Sequence, residues 1–245
     1  MVATTQLVEL LESADPAQWS RNLVALARSA GFDRVLYGMV PSRHAKLESA
    51  FLMSNYAPAW RERYDANRLA YVDPTVTHCA QSSLPIVWKP ETFSAPAQRA
   101  LYEEACSFGI RLGVTLPIHG PGGEFGVISF ASDAPADAGS VRDIERAMPA
   151  LSLIRDYAFQ SSLRLSAQAA GHEPPPRLTK RELEVLKWVM AGKSSWEISR
   201  ITNCSEATVN FHMANVRQKF NVNTRQQAVV KAIAMGLVNP EDLRR

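Results

Sequence analysis

Three consecutive prolines, Pro174, Pro175 and Pro176, set the first limit on any fold for this chain. Each lacks a backbone N–H and holds φ near about −65°, so the run can enter neither a helix interior nor a central strand. It favours extended polyproline geometry instead. The surrounding text, GHEPPPRLT over 171–179, therefore reads as a linker. A chain of 245 residues is long enough for two cores, and the expected division is a domain at 1–165, a linker at 166–177 and a domain at 178–245. Charge divides in the same region. Residues 171–245 carry 12 Lys and Arg against 7 Asp and Glu, a net +5, whereas residues 1–170 carry 15 against 17, a net −2. A basic last third suits a nucleic-acid partner only if a motif joins it.

Several classes drop out early. No apolar run approaches the roughly 18 residues of a membrane span, and the opening MVATTQLVELLESADP has no basic segment ahead of an apolar one. A cytoplasmic location and no membrane partner are expected. Cys79, Cys106 and Cys204 are odd in number and widely spaced, which suits small buried hydrophobes better than a disulfide framework or a zinc site. His44, His78, His119, His172 and His212 show no metal-ligand spacing, and His78 reads as a packed or partly exposed helix residue. No G-x-S-x-G occurs, and the glycine-rich GPGGE lies between two strands rather than between strand and helix. The expectation is a protein with no metal, no cofactor and no catalysis.

Upstream of the prolines, helices and strands alternate. Asp15-Pro16 opens a helix to Ala30 that Gly31 stops, and RVLYGMV and SAFLMSN read as strands. Helical text covers 58–70, 74–82 and 95–108, the last ended by Gly109, with a short strand LPIVW before it. LGVTLPI and FGVISFA form a hairpin across HGPGGE, and a long helix over about 140–162 follows, with a kink expected at Pro149. Strands grouped around short turns, with helices before and after, predict an α+β domain: an antiparallel sheet between helical layers, an α-β-α sandwich.

Downstream, everything is helical. Thr179 and Glu182 form a capping box for KRELEVLKWVM, and Gly192 stops it. SSWEISRIT is a short helix, NCS a turn, and Ser205 caps a third helix; a fourth runs from Thr224 to Met235. In the third helix Val209, Met213, Val216 and Phe220 make one core-facing stripe. The other side shows solvent Glu206, Asn210, Phe211, Ala214, Arg217 and Gln218. Two short helices about a tight turn, the second with a polar outer face, is the helix-turn-helix pattern. Asn210 could pair with a base edge, Phe211 could touch a thymine methyl, and Arg217, Lys219, Lys193 and Ser194 suit phosphates. Composition and period alone leave open a solvated helix in a small interaction module.

The stretch from Leu178 to Val229 resembles the all-α, four-helix, helix-turn-helix DNA-binding domain of the LuxR family of transcription regulators. Glu182, Leu186 and Gly192 fall on that family's strongest positions, while Asn210 stands where many members carry lysine. The resemblance implies a DNA-facing set of Lys193, Ser194, Glu206, Thr208, Asn210, Phe211, Ala214, Arg217 and Lys219.

The upstream text NYAPAWRERYDANRLAYVDPTV, followed by LPIVW, resembles the acyl-homoserine-lactone-binding domain of the quorum-sensing members, with Trp60, Tyr64, Asp73, Pro74, Trp88 and Gly113 on characteristic positions. By that resemblance Trp60 donates to the lactone carbonyl, Asp73 accepts from the amide N–H, and Tyr56 with Ser129 donates to the amide carbonyl. Thr75 supports Asp73, and Trp88 and Tyr64 wall the site. Leu36, Gly38, Ala50, Leu52, Val76, Cys79, Phe125 and Val127 line the tail, whose length is expected at medium to long, roughly eight to twelve carbons from the small residues that leave room and the large ones that consume it. Taken alone, Asp73-Pro74 is also an ordinary helix cap followed by proline. The implied function is a quorum-sensing activator. Its implied partners are an N-acyl homoserine lactone, double-stranded DNA, a second copy of the chain and RNA polymerase. The alternative is a LuxR-type regulator that responds to no ligand or to a non-lactone.

Overall fold

The computed structural model describes residues 2–42, 45–46, 49–169 and 177–239. The chain forms two compact units, Met1–Gly171 and His172–Arg245. Most of the expected linker, residues 170–176 with the three prolines, lies outside the described residues, as do His44, His172 and residues 240–245.

The first unit is built on five strands: β1 (Arg34–Val40), β2 (Phe51–Ser54), β3 (Ile86–Val87), β4 (Leu112–His119) and β5 (Phe125–Ser132). They pair antiparallel throughout in the order β2-β1-β5-β4-β3. The period of two in RVLYGMV decides what each face does. Val35, Tyr37 and Met39 are buried in the main core with Val114, Leu116, Ile118, Ile128 and Phe130. Against this face pack α1 (Thr4–Leu11), α2 (Pro16–Ser29) and α6 (Ala138–Ala169). Asp15 caps α2 through the Gln18 N–H at 2.8 Å, and Gly31 follows at φ +94°. The buried stripe Trp19, Leu23, Leu26 and Ala27 is the helical period facing the sheet. Two buried polar pairs tie α6 to this layer: Trp19 Nε1 donates to Ser161 Oγ at 2.7 Å, and Tyr37 shares a 2.6 Å hydrogen bond with Ser162. α6 is longer than expected, absorbing residues 166–169 of the expected linker. It is continuous through Pro149, where proline and the Glu145 whose carbonyl loses its N–H partner are both exposed.

The opposite face of the sheet carries Leu36, Gly38 and Val40, with Val127 across from Gly38 and Ser129 across from Leu36. Here α3 (Pro58–Ala66), a 3₁₀ turn at Leu69–Tyr71, α4 (Pro74–Gln81) and α5 (Pro96–Ser107) form the third layer. The α-β-α sandwich expected from the sequence is the one observed, with α1 as an added element.

The second unit is α7 (Lys180–Met190), α8 (Ser195–Ile201), α9 (Glu206–Phe220) and α10 (Arg225–Ala234). Val209, Met213, Val216 and Phe220 of α9 are buried with Val185, Leu186, Ile198, Ala228 and Ala232, so the expected stripe is the core seam. The α8–α9 turn closes through Asn203 at φ +49°, a left-handed position that asparagine tolerates better than most residues.

Candidate functional site

Between the sheet and the α3–α5 layer lies a cavity of about 410 Å³, within the usual range for small-molecule sites. Its floor is the even-numbered face of β1 and the matching residues of β5: Leu36, Gly38, Val40, Phe125, Val127 and Ser129. Several of its polar groups gather around Asp73. Asp73 caps α4, and its Oδ1 accepts from the Thr75 N–H at 2.8 Å and the Thr75 hydroxyl at 2.7 Å. Its Oδ2 accepts from the Tyr64 hydroxyl at 2.9 Å. Oδ2 has two lone pairs, of which the Tyr64 hydroxyl takes one, while the Val76 N–H adds to the donors at the helix end. Burial raises the Asp73 carboxyl above its usual range, and the hydrogen bonds from Thr75 and Tyr64 oppose the rise.

Donors surround that carboxylate. The Tyr56 hydroxyl is buried without a hydrogen-bond partner among the described residues, and burial, with Asp73 nearby, pushes its pKa up, so it stays a protonated donor. Arg61 Nε is a second buried donor in the same condition. Trp60 is buried on α3, held edge-on by Tyr64 at 5.8 Å and tilted against Phe108 at 5.5 Å. Across the cavity, Trp88 Nε1 donates to Thr115 Oγ1 at 2.9 Å, and Thr115 pairs with Ser129 at 2.9 Å. With the Thr115 acceptor occupied by the indole, its proton can go to Ser129, which frees the Ser129 proton for the cavity. Trp88 lies so close to β4 that a Cβ on Gly113 would sit 2.8 Å from its ring. That explains the glycine. The remaining lining includes apolar Phe93, Leu101, Ala105 and Ile110 together with Asp65, Arg68 and Tyr102, while half-exposed Leu52 and exposed Tyr71 mark the rim.

In the second unit the α9 side opposite the core seam is open to solvent. Phe211 is 61% exposed, and Asn210, Ala214 and Glu206 are exposed beside it. The Ser195 hydroxyl donates to Asn210 Oδ1 at 2.7 Å. Arg217 gives one N–H to the Asn223 carbonyl at 3.1 Å and keeps its other donors. Thr208 is tied to Ser205, its N–H going to the capping hydroxyl at 3.1 Å.

Comparison with known proteins matches residues 15–162 to the autoinducer binding domain, and residues 176–232 to the bacterial regulatory proteins of the luxR family. The transcriptional activator protein VanR of Vibrio anguillarum is 34% identical over 210 residues, 86% of this chain and 86% of the relative. The chain belongs to the luxR family. The quorum sensing-dependent regulator RpaR of Rhodopseudomonas palustris is 33% identical over 238 residues, 94% of this chain and 91% of that one. The crystal structure of SdiA from Escherichia coli superposes with a TM-score of 0.74 at 26% identity, covering 96% of this chain and 97% of that one. As a luxR-family member the chain is a transcription regulator, not an enzyme, with a small-molecule domain ahead of a DNA-binding one.

Of the fifteen residues expected in the ligand site, fourteen line the cavity. Cys79 does not: it is buried on the sheet side of α4 with Val40 and Phe125. Cys204, expected buried, is exposed, and Cys106 is half-buried. On the DNA side, Lys219 stands apart. It lies about 180° round α9 from Asn210, and its ammonium is 2.6 Å from Glu182 Oε2 and donates to the Arg177 carbonyl, so it fastens α9 to the start of α7. Ser194 caps α8 and gives its proton to Glu197, which leaves no donor for a phosphate. Lys193 spends one of its three donors on Glu197. Residues from α5, Leu101, Tyr102 and Ala105, were not expected in the cavity; the i, i+4 spacing of Leu101 and Ala105 was the available signal. His78 is half-buried, as expected, and meets the Leu84 carbonyl at 2.8 Å.

Proposed function

We propose that the cavity binds an N-acyl homoserine lactone with a medium to long tail, and that the chain, as a cytoplasmic homodimer, then occupies a partly palindromic DNA site and activates transcription by RNA polymerase. The observation that carries the ligand reading is Asp73 Oδ2, which holds only the Tyr64 hydroxyl, close to the unpartnered Tyr56 hydroxyl in a largely apolar cavity that Trp60 and Ser129 also line. An acyl homoserine lactone needs that combination: an acceptor for its amide N–H, donors for its two carbonyls, and a dry space for an alkyl chain. Each buried methylene contributes about 0.8 kcal/mol, so eight contribute roughly 6 kcal/mol at most. The tail then dominates affinity, while the head dominates which class of ligand is accepted.

The DNA reading rests on the exposed face of α9 and on the relatives VanR, a transcriptional activator protein, and RpaR, a transcriptional regulator. Paired helix-turn-helix modules need half-sites a whole number of turns apart, hence a palindrome of roughly two turns. Mass spectrometry of small molecules released from the purified, denatured protein tests the ligand. An acyl homoserine lactone is expected, and a non-lactone, or no small molecule with unchanged stability on adding lactones, overturns the reading. Affinity for DNA should fall steeply with salt as bound Lys and Arg release counterions; a flat salt profile overturns the DNA part.

A further inference from the structure

Four residues line the cavity and are also exposed, and they place its mouth. Leu52 lies on β2, the edge strand of the sheet; Asp65, Arg68 and Tyr71 lie at the end of α3 and in the 3₁₀ turn that follows it. The wall on either side of that turn is pinned. An ion pair between Arg63 and Glu104 holds α3 to α5, and the Tyr64 hydroxyl holds α3 to Asp73 at the start of α4. α4 buries Thr75 and Cys79, and α5 buries Leu101 and Ala105. The turn Leu69–Tyr71 buries no residue. Local backbone hydrogen bonds keep it, the Tyr71 N–H on the Arg68 carbonyl at 3.1 Å and the Val72 N–H on the Leu69 carbonyl at 3.0 Å, in the 3₁₀ pattern whose geometry is poorer than that of an α-helix. No side chain from Arg68 to Val72 has a hydrogen-bond partner among the described residues. Arg68 enters the turn at φ +52°, a left-handed conformation that costs any residue other than glycine. Segments with little buried side chain and only local hydrogen bonds are the first to open.

We infer that this turn is the gate of the cavity, with the Tyr71 ring as its moving leaf and Leu52 as the other lip, and that a ligand enters and leaves between them. This rests on the reading that the cavity binds an acyl homoserine lactone. Tyr71 is 70% exposed and Leu52 47%, so an inward swing of the turn removes apolar surface from water and favours closure. The turn ends against Asp73, whose N–H donates to the Leu69 carbonyl at 2.9 Å and whose carboxylate is fixed by Thr75 and Tyr64. The group that meets the ligand's amide therefore stays in place while the residues before it move. A gate also has a kinetic signature. A side chain that only obstructs passage raises the barrier equally for entry and exit, so removing it speeds both and leaves the equilibrium unmoved. One that touches the bound ligand changes chiefly the exit rate.

The test uses the full-length protein purified with N-decanoyl homoserine lactone, and the tritiated form of that lactone as the probe. Equilibrium dialysis over a range of total lactone gives Kd, a chase with excess unlabelled lactone gives the dissociation rate, and the second divided by the first gives the association rate. Tyr71→Ala should speed dissociation and association alike, by about tenfold, with Kd within about twofold of wild type. Tyr71→Phe keeps the ring and should restore the wild-type rates. Leu52→Ala, on the other lip, should speed both directions too. Faster dissociation of Tyr71→Ala with a matching loss of affinity makes Tyr71 a ligand contact and overturns the gate, as does an unchanged dissociation rate in both alanine variants. Wild-type protein that binds no decanoyl lactone is a different result and overturns the ligand reading itself. Both side chains are largely outside the core, and matching melting temperatures of the four complexes exclude unfolding as the cause of any change.

Discussion

Replacing Asp73 by asparagine separates its two duties. As the cap of α4, Asp73 needs only an oxygen for the Thr75 N–H, and asparagine caps about as well as aspartate. The substituted asparagine therefore keeps its Oδ1 on Thr75 and places Nδ2 where the carboxylate had Oδ2. Tyr64 can reverse its hydroxyl to accept, but the one site left for a ligand has become a donor facing another donor. A hydrogen bond to a charged acceptor contributes about 1.5–3 kcal/mol, so affinity should fall roughly 10- to 150-fold. The factor should be the same for hexanoyl, octanoyl, decanoyl and dodecanoyl lactones in calorimetric titration, because the head is common to all. Stability should move the other way. Burial raises the Asp73 carboxyl, so the folded state holds its proton more tightly than the unfolded state. That contribution is complete below the unfolded carboxylate pKa and is lost as pH rises through the raised folded value. At neutral pH the wild type carries the cost of a buried charge that asparagine lacks, and urea unfolding of Asp73→Asn should be equal to or harder than wild type. Unchanged lactone affinity, or a loss confined to one chain length, would mean that Asp73 is only a helix cap.

Val127→Ala widens the tail end beside Gly38 and should shift preference toward longer chains by about 0.8 kcal/mol or less per added carbon; a loss uniform across a chain-length series refutes it. Gly113→Ala puts a methyl 2.6 Å from the Phe130 carbonyl and 2.8 Å from the Trp88 ring, an overpacking that should cost about 1–3 kcal/mol in urea unfolding. No change there would mean that Trp88 is not seated on β4. Lys219→Ala leaves Glu182, 3% exposed, without its ammonium and should destabilise the second unit by about 1–3 kcal/mol, less than a fully buried pair because Lys219 is itself a third exposed. Burial alone would raise the Glu182 carboxyl, but hydrogen bonds from Lys219 and Thr179 outweigh it and hold the pKa below the usual value. Such a group stabilises above its unfolded pKa and loses that effect as pH falls through the folded one. The gap between wild type and Lys219→Ala in thermal unfolding should therefore close on acidification, and a gap independent of pH refutes the assignment.

What the sequence could and could not reveal follows from the range of each interaction. Helix caps are local: Asp15, Thr179, Ser205 and Thr224 lie within three residues of the N–H groups they satisfy, and all four start the helices expected of them. Face assignment in β1 is nearly as local, because a period of two sorts Val35, Tyr37 and Met39 from Leu36 and Gly38 whatever the neighbouring strands are. Sequence says less where a residue's surroundings are set by something distant. Val76 and Cys79 share an apolar helix and differ by less than a turn, yet one meets the cavity and the other meets Val40 and Phe125, a choice made by how α4 sits on β4 and β5. Lys219 has the composition of a phosphate contact, but its charge is spent on Glu182, thirty-seven positions earlier. In both, the residue type suits the expected role and the partner is what differs. A polar side chain has few donors and acceptors, and a folded neighbour that claims one changes what is left for a ligand or a base. The Oδ2 lone pair that Tyr64 leaves on Asp73 is such a remainder, defined by Thr75 and Tyr64 as much as by Asp73 itself.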